Sequence, residues 1–100
     1  MANEGELFIR DAATKRGIDS DTALTVAKME GGVDAPGLTG KFDTGWSFWQ
    51  YQLHFGGPEY PQFGTVAGMG NSFAKLTGWQ PGDPRAWRDS IRYALNRAKL

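Results

Sequence analysis

Ten residues, WSFWQYQLHF at positions 46–55, divide this chain and limit what it can fold into. They are dense in aromatics and lack β-branched residues. Before them, residues 31–45 hold five glycines and one proline. After them comes GGPEYPQFG, with two more prolines. Glycine and proline at this density make turns and stop helices. A single bundle of uninterrupted helices is therefore excluded. The aromatic block reads as a short irregular hairpin or as the entry to a helix, and periodicity does not separate the two.

Helical patterns flank this middle stretch. EGELFIRDAATKRG, residues 4–17, reads as a first helix with Leu7, Phe8, Ala12 and the stem of Lys15 near one face and Gly17 as the stop. DSDTALTVAKME, residues 19–30, reads as a second. Asp19 or Ser20 caps it, and Asp21 puts negative charge where the helix dipole favours it. Ala23, Leu24, Ala27 and Met29 form its apolar side, and Gly31 and Gly32 end it. TVAGMGNSFAKLTG, residues 65–78, reads as a third, with Val66, Met69, Phe73 and Leu76 in one stripe. A glycine inside a helix costs about 1 kcal/mol relative to alanine, so Gly68 or Gly70 is expected where another segment packs closely. In the last segment, Asp83 is a natural N-cap and Pro84 a natural first helical residue. Trp87, Ile91, Ala94, Leu95 and Ala98 form its stripe, and Arg85, Arg88, Arg92 and Arg97 fall on other faces. One hundred residues suit one domain, residues 1–100. The helical pattern is still running at Leu100, so the domain is expected to belong to a longer polypeptide.

Eleven basic and eleven acidic residues cancel, leaving no electrostatic footprint for nucleic acid or an anionic membrane. AATKRGIDSDTALTVAKMEGG has the outline of a helix-turn-helix. Its second helix offers one cation, Lys28, against Asp19, Asp21 and Glu30, too little for phosphate contacts. With no cysteine there is no disulfide and no thiolate metal site, which fits a reducing cytoplasm. His54 is the only histidine and has no partner at metal-ligand spacing, so no metal and no cofactor is expected. The first 17 residues have no long apolar run, so neither a signal peptide nor a membrane span is expected.

Three stretches carry more than pattern: GIDSDTALTVAKMEGG, SFWQYQLHFGG and GMGNSFAKLTGWQPGDPRAWRDSIRYAL. In this order they resemble a lysozyme-like domain of bacteriophage tail proteins and endolysins. That domain belongs with the soluble lytic transglycosylases and goose-type lysozymes. The resemblance runs from about Gly17 to Leu95. It implies an α+β, mostly α-helical, lysozyme-like fold with a short irregular β or loop segment. It also implies synthesis in a bacterial cytoplasm, action at the cell wall, and the peptidoglycan glycan strand as partner. The rest of a phage tail or endolysin polypeptide is a further partner it implies. Glu30 matches the catalytic acid. Ser47 and Gln52 match the serine and glutamine opposite it, and QLHFGG looks like the phage-type version. Trp49 stands where the group usually has glycine. There it stacks on a sugar, closes its approach or turns away.

The chemistry follows from the residues. Cleaving a glycoside needs a proton on the leaving oxygen. A carboxyl supplies it at neutral pH when desolvation or nearby negative charge disfavours its ionised form. Glu30 ends a helix, at the negative end of the dipole, with Val26, Met29 and the aromatic block as candidate walls. A solvated helix-end acid has the same spacing. Asp43 is a candidate second acid that activates water, or a turn residue; without it, the substrate's own groups complete a transglycosylase route. Trp46, Phe48, Trp49, Tyr51, Phe55 and Tyr60 are candidates for packing against sugar rings, about half of them being expected in the core. Of these, Trp49, Tyr51 and Tyr60, with Ser47, Gln52 and His54, are the expected substrate-binding residues. A wall-binding or structural domain without turnover is the rival reading.

Overall fold

The computed structural model describes residues 3–98. Two helices come first, α1 (Glu4–Lys15) and α2 (Ser20–Glu30). A sheet follows, with β1 (Thr39–Phe42), β2 (Gly45–Phe48) and β3 (Leu53–Phe55) in spatial order β1-β2-β3, all antiparallel. Helices α3 (Met69–Thr77) and α4 (Trp87–Arg97) complete the chain, α4 entered through a 3₁₀ turn at Pro84–Ala86. The molecule is an α+β domain in which helix outweighs strand. Among the described residues, no helix is long and apolar enough to cross a membrane.

Local chemistry explains the helix ends. The Asn3 side chain accepts from the Glu6 N–H at 2.7 Å and opens α1. Asp19 accepts from both the N–H and the hydroxyl of Thr22 and opens α2. Those two bonds favour the ionised form and hold the Asp19 carboxyl below its ordinary range. Gly17 takes a positive φ of 69° after α1, as its stop role requires. After α2 the left-handed residue is Gly32, at φ 81°, while Gly31 keeps an ordinary φ of −114°. Asp83 accepts from the Arg85 N–H at 2.9 Å before the 3₁₀ turn.

The buried faces differ in part from the expected stripes. Helix α1 buries Gly5, Ile9, Ala12 and Ala13, whereas Leu7 is 56% exposed and Lys15 points to solvent. The reason is Gly5: a Cβ there would lie 1.8 Å from the Val33 carbonyl oxygen, so the chain packs directly on this side of the helix. In α2, Ala23, Leu24 and Ala27 are buried and Met29 is 79% exposed. The third helix starts later than expected, at Met69 with Gly68 as its N-cap, so Val66 lies in the preceding loop; of the expected stripe only Phe73 is buried, and Val66, Met69 and Leu76 are exposed. The glycines decide this face too. A Cβ on Gly70 would meet the Phe55 ring at 2.4 Å, and one on Gly68 would meet His54 Cβ at 2.8 Å. The close packing expected of these glycines is therefore made, against β3. Helix α4 buries Trp87, Ile91, Ala94 and Leu95 as its pattern predicts but ends at Arg97, so Ala98 of the expected stripe is its extended C-cap and lies outside the helix.

The aromatic block is a hairpin and not a helix start. It is joined by a third strand, β1, which the glycine-rich stretch hides. Three of the four β1 residues are exposed, so the strand has no apolar alternation to reveal it. Paired residues share a face of the sheet. One face carries Phe48, Leu53 and Phe55 into the core, where Phe48 and Phe55 meet edge-on at 5.5 Å between ring centres. The other carries Gly40, Phe42, Ser47 and His54.

Candidate functional site

Glu30 is the last residue of α2, and its backbone position is set by the glycine after it. The Gly31 N–H donates to the Gln50 carbonyl at 3.0 Å, and the Gly31 carbonyl accepts from the Leu38 N–H at 3.0 Å. A Cβ on Gly31 would lie 2.2 Å from the Trp49 carbonyl oxygen and 2.8 Å from Gln52 Nε2. The end of α2 thus rests on the turn between β2 and β3. Gly31→Ala forces that turn away and is expected to cost about 1–3 kcal/mol, as overpacking does. Thermal unfolding measures it: Tm should fall by roughly 5–20 °C, and an unchanged Tm contradicts the contact.

The turn itself is strained. Trp49 and Gln52 have φ of 69° and 50°, the two positive values among described non-glycine residues. Each costs about 1–2 kcal/mol and survives only where its surroundings determine it. The surroundings do so. Gln52 Nε2 donates to the Leu38 carbonyl at 2.7 Å and the Trp49 carbonyl at 2.8 Å. The Trp49 indole N–H donates to the Asp83 carbonyl at 3.0 Å. Gln50 Nε2 donates to the Asp34 carbonyl at 3.1 Å, and the Tyr51 hydroxyl to the Ala23 carbonyl at 2.8 Å. Four consecutive side chains therefore tie this turn to α2, to the loop after it and to the segment before α4.

Tyr51 also reports on pH. Burial pushes its phenol up to about 12. In the unfolded chain a tyrosine ionises near pH 10, that is, about two units lower. Above that value the unfolded state loses its proton first, so stability falls as pH rises from about 10 towards 12. Chemical denaturation of Tyr51→Phe across this window is expected to show a shallower fall than the wild type. Equal slopes contradict a buried phenol.

The expected site residues separate into groups. Trp49 is 2% exposed and packs edge-on against Phe73 at 5.2 Å, so it belongs to the core and offers no face to a sugar. This corrects its assignment as a binding residue; the turn's positive φ aims the ring inward. Tyr51 is a strut under the turn. Tyr60 packs edge-on against Phe55 at 5.3 Å, partly buried against the core. Ser47 is buried, with its hydroxyl 3.3 Å from His54 Nδ1 across the β2–β3 pair, and His54 Nε2 is buried without a partner. Asp43 is exposed on the two-residue turn between β1 and β2. Four steps from Thr39, at about 3.3 Å each, set it about 13 Å along the strand from the end that meets α2.

Glu30 itself is exposed, and Met29 beside it is 79% exposed. The dry wall expected around Glu30 is therefore not built by α2; the aromatic block that was its other half turns into the core. The loop that follows α2 lines a cavity of about 320 Å³ formed by Gly31, Gly32, Asp34, Ala35, Pro36, Gly37 and Leu38, without the Glu30 side chain. This lies at the small end of the range for ligand pockets, roughly 300–1,000 Å³. Among the described residues, no cluster of three His, Cys, Asp or Glu side chains is placed to hold a metal ion.

Comparison of the chain with protein-family models, curated proteins and solved structures finds no match. The site must be read from its own geometry. That geometry brings the three quoted stretches together: Gly31 on Gln50, Gly68 on His54, and the Trp49 indole on Asp83. It also adds a residue that sequence reading passed over. Phe42 is 55% exposed on β1, with its ring beside Gly40 and close to the Gln52 amide. Its lone position in a glycine-rich stretch gave no periodic signal.

Proposed function

We propose that this is a lysozyme-like domain that cleaves the β-1,4 bond between N-acetylmuramic acid and N-acetylglucosamine in peptidoglycan, with Glu30 as general acid. One observation carries the reading. The acid that matches the catalytic residue ends a helix seated by Gly31 on the strained turn that presents Gln52, at the edge of a cavity. Strain held at such a turn is characteristic of functional sites. The exposure of Glu30 changes the mechanism in one respect. A glycan lying across the carboxyl excludes the water that now surrounds it, so the substrate itself supplies the dry wall that the protein lacks there.

Glu30 then gives its proton to the glycosidic oxygen as the C1–O bond breaks. An inverting second carboxylate stands about 6.5–9.5 Å from the first. Asp43 lies at the far end of β1, which supports the route without it. There the C6 hydroxyl of the same sugar closes on C1, its proton returns to Glu30, and a 1,6-anhydro end results. Digestion of purified peptidoglycan tests the reading, with soluble fragments identified by mass spectrometry. Anhydro ends are the expected product, and reducing ends mean hydrolysis instead. Wall that is bound but yields no fragment supports a non-catalytic domain, the reading that the solvated Glu30 favours. In the active case the domain works at the cell wall as part of a phage tail or endolysin polypeptide.

A further inference from the structure

We propose that the cavity between α3 and α4 is a second binding site, for the free carboxylate at the end of a short peptide whose last residue is small and apolar. The carboxylate chemistry stands on the cavity alone. Its source, the peptide stem of the cell wall, rests on the wall reading above.

The cavity measures about 250 Å³, with Leu76 and Thr77 on the α3 side and Arg92 and Arg97 among the residues on the α4 side. It shares no lining residue with the cavity after α2. Pockets that take a whole small molecule run from roughly 300 to 1,000 Å³, so this one suits the end of a chain.

The acceptors around it already have partners, whereas donors remain. Asp89 is the one acid in the lining. Its Oδ1 accepts from Arg92 Nη1 at 2.9 Å and its Oδ2 from the Trp79 indole at 2.7 Å. The Thr77 hydroxyl donates to the Phe73 carbonyl at 2.7 Å and accepts from the Trp79 N–H at 3.3 Å. Asn96, also in the lining, accepts at Oδ1 from Arg16 Nε at 2.6 Å. Arginine only donates, so this bond fixes the amide and leaves Asn96 Nδ2 with its N–H groups to give. Arg92 keeps the N–H groups that Asp89 does not take. Arg97 keeps all of its own, having no acid partner among the described residues. A lining that offers donors takes a ligand that only accepts.

Charge and packing narrow the ligand further. Two arginines against one aspartate leave a single net positive charge in the lining, which matches one carboxylate better than a doubly charged phosphate. The Arg97 guanidinium sits 3.7 Å from the centre of the Tyr93 ring, and Tyr93 is buried. The cation is thus stacked on a fixed ring with its N–H edge open, and a carboxylate takes two such N–H groups at once. A side chain held in this way has little freedom left to lose on binding. Leu76, 69% exposed, is the apolar surface for the residue that bears the carboxylate. An uncrosslinked wall peptide ends in alanine with a free carboxylate, which has this chemistry.

The test follows amide shifts of the ¹⁵N-labelled protein on titration with acetyl-lysyl-D-alanyl-D-alanine and with its C-terminal amide. The acid is expected to bind with a Kd of about 1 mM, moving Leu76, Asn96 and Arg97, and the amide at least about tenfold more weakly. Arg97→Gln and Asn96→Asp, both at exposed side chains, are each expected to weaken the acid about tenfold at unchanged Tm. The second variant keeps an acceptor for Arg16 and turns a donor into an oxygen. No binding of the acid, equal binding of acid and amide, or binding that survives both variants overturns the site. An L-alanyl-L-alanine peptide bound as tightly as the D form keeps the carboxylate site and overturns the wall stem as its source. Digestion of peptidoglycan is read separately. Fragments released without peptide binding leave the glycosidase reading and remove this site; peptide binding without fragments does the reverse.

Discussion

Glu30→Gln is expected to slow the clearing of a cell-wall suspension by about 10²- to 10⁴-fold, the usual contribution of a general acid. The amide keeps the shape of the side chain and loses the proton. Fold and stability should not change. The side chain is exposed, and among the described residues it makes no hydrogen bond or ion pair. A surface change of this kind stays within about 0.5 kcal/mol. The separation of the two readouts is what makes the variant informative. Clearing lost at constant Tm assigns the proton to Glu30; clearing retained at the wild-type rate removes Glu30 from the chemistry.

The largest loss of stability is expected from Trp49→Ala. The Trp49 ring is at the centre of the core, against Phe48, Phe55 and Phe73. Removing a buried tryptophan costs about 3–5 kcal/mol, or roughly 15–30 °C in Tm for a domain of this size. The lost indole N–H also leaves the Asp83 carbonyl without its donor. Trp49→Gly separates ring from backbone. Glycine adopts the φ of 69° without strain, so it should be the more stable of the two variants, by about 1 kcal/mol. Elsewhere in a chain the order is normally reversed. Thermal melts of both variants check the rank, and Trp49→Ala at the wild-type Tm contradicts a core role.

The helices were legible because their ends are written in single residues. Asn3 caps α1 without a pattern that marks it, whereas Asp19, Gly17, Asp83 and Pro84 each mark a boundary that the structure keeps. Their buried faces were less legible, for a steric reason. Apolar periodicity counts side chains, whereas Gly5, Gly31, Gly68 and Gly70 bury by having none, and each admits another segment of the chain. The strand β1 was hidden for the converse reason: its one large apolar residue, Phe42, is 55% exposed. Trp49 shows a further limit. A tryptophan among aromatics reads as a sugar platform or as core with equal ease, and only its left-handed backbone decides which way it turns. For the site, the resemblance set Gln52 opposite Glu30, and the structure brings the Gln52 amide to Gly31, the residue after Glu30. The dry wall it expected around the acid came from treating neighbours in sequence as neighbours in space, and Met29 points away.

In the proposed reading the end of α2 and the β2–β3 turn that seats it form one glycan-binding surface. Nuclear magnetic resonance on ¹⁵N-labelled Glu30→Gln protein tests it most directly, with soluble peptidoglycan glycan fragments as titrant. Amide shifts concentrated at Gly31 and at the backbone and side-chain amides of Gln52 are expected. Spectra that do not move, or that move only at Leu76, Arg92 and Arg97 around the separate cavity between α3 and α4, would contradict it.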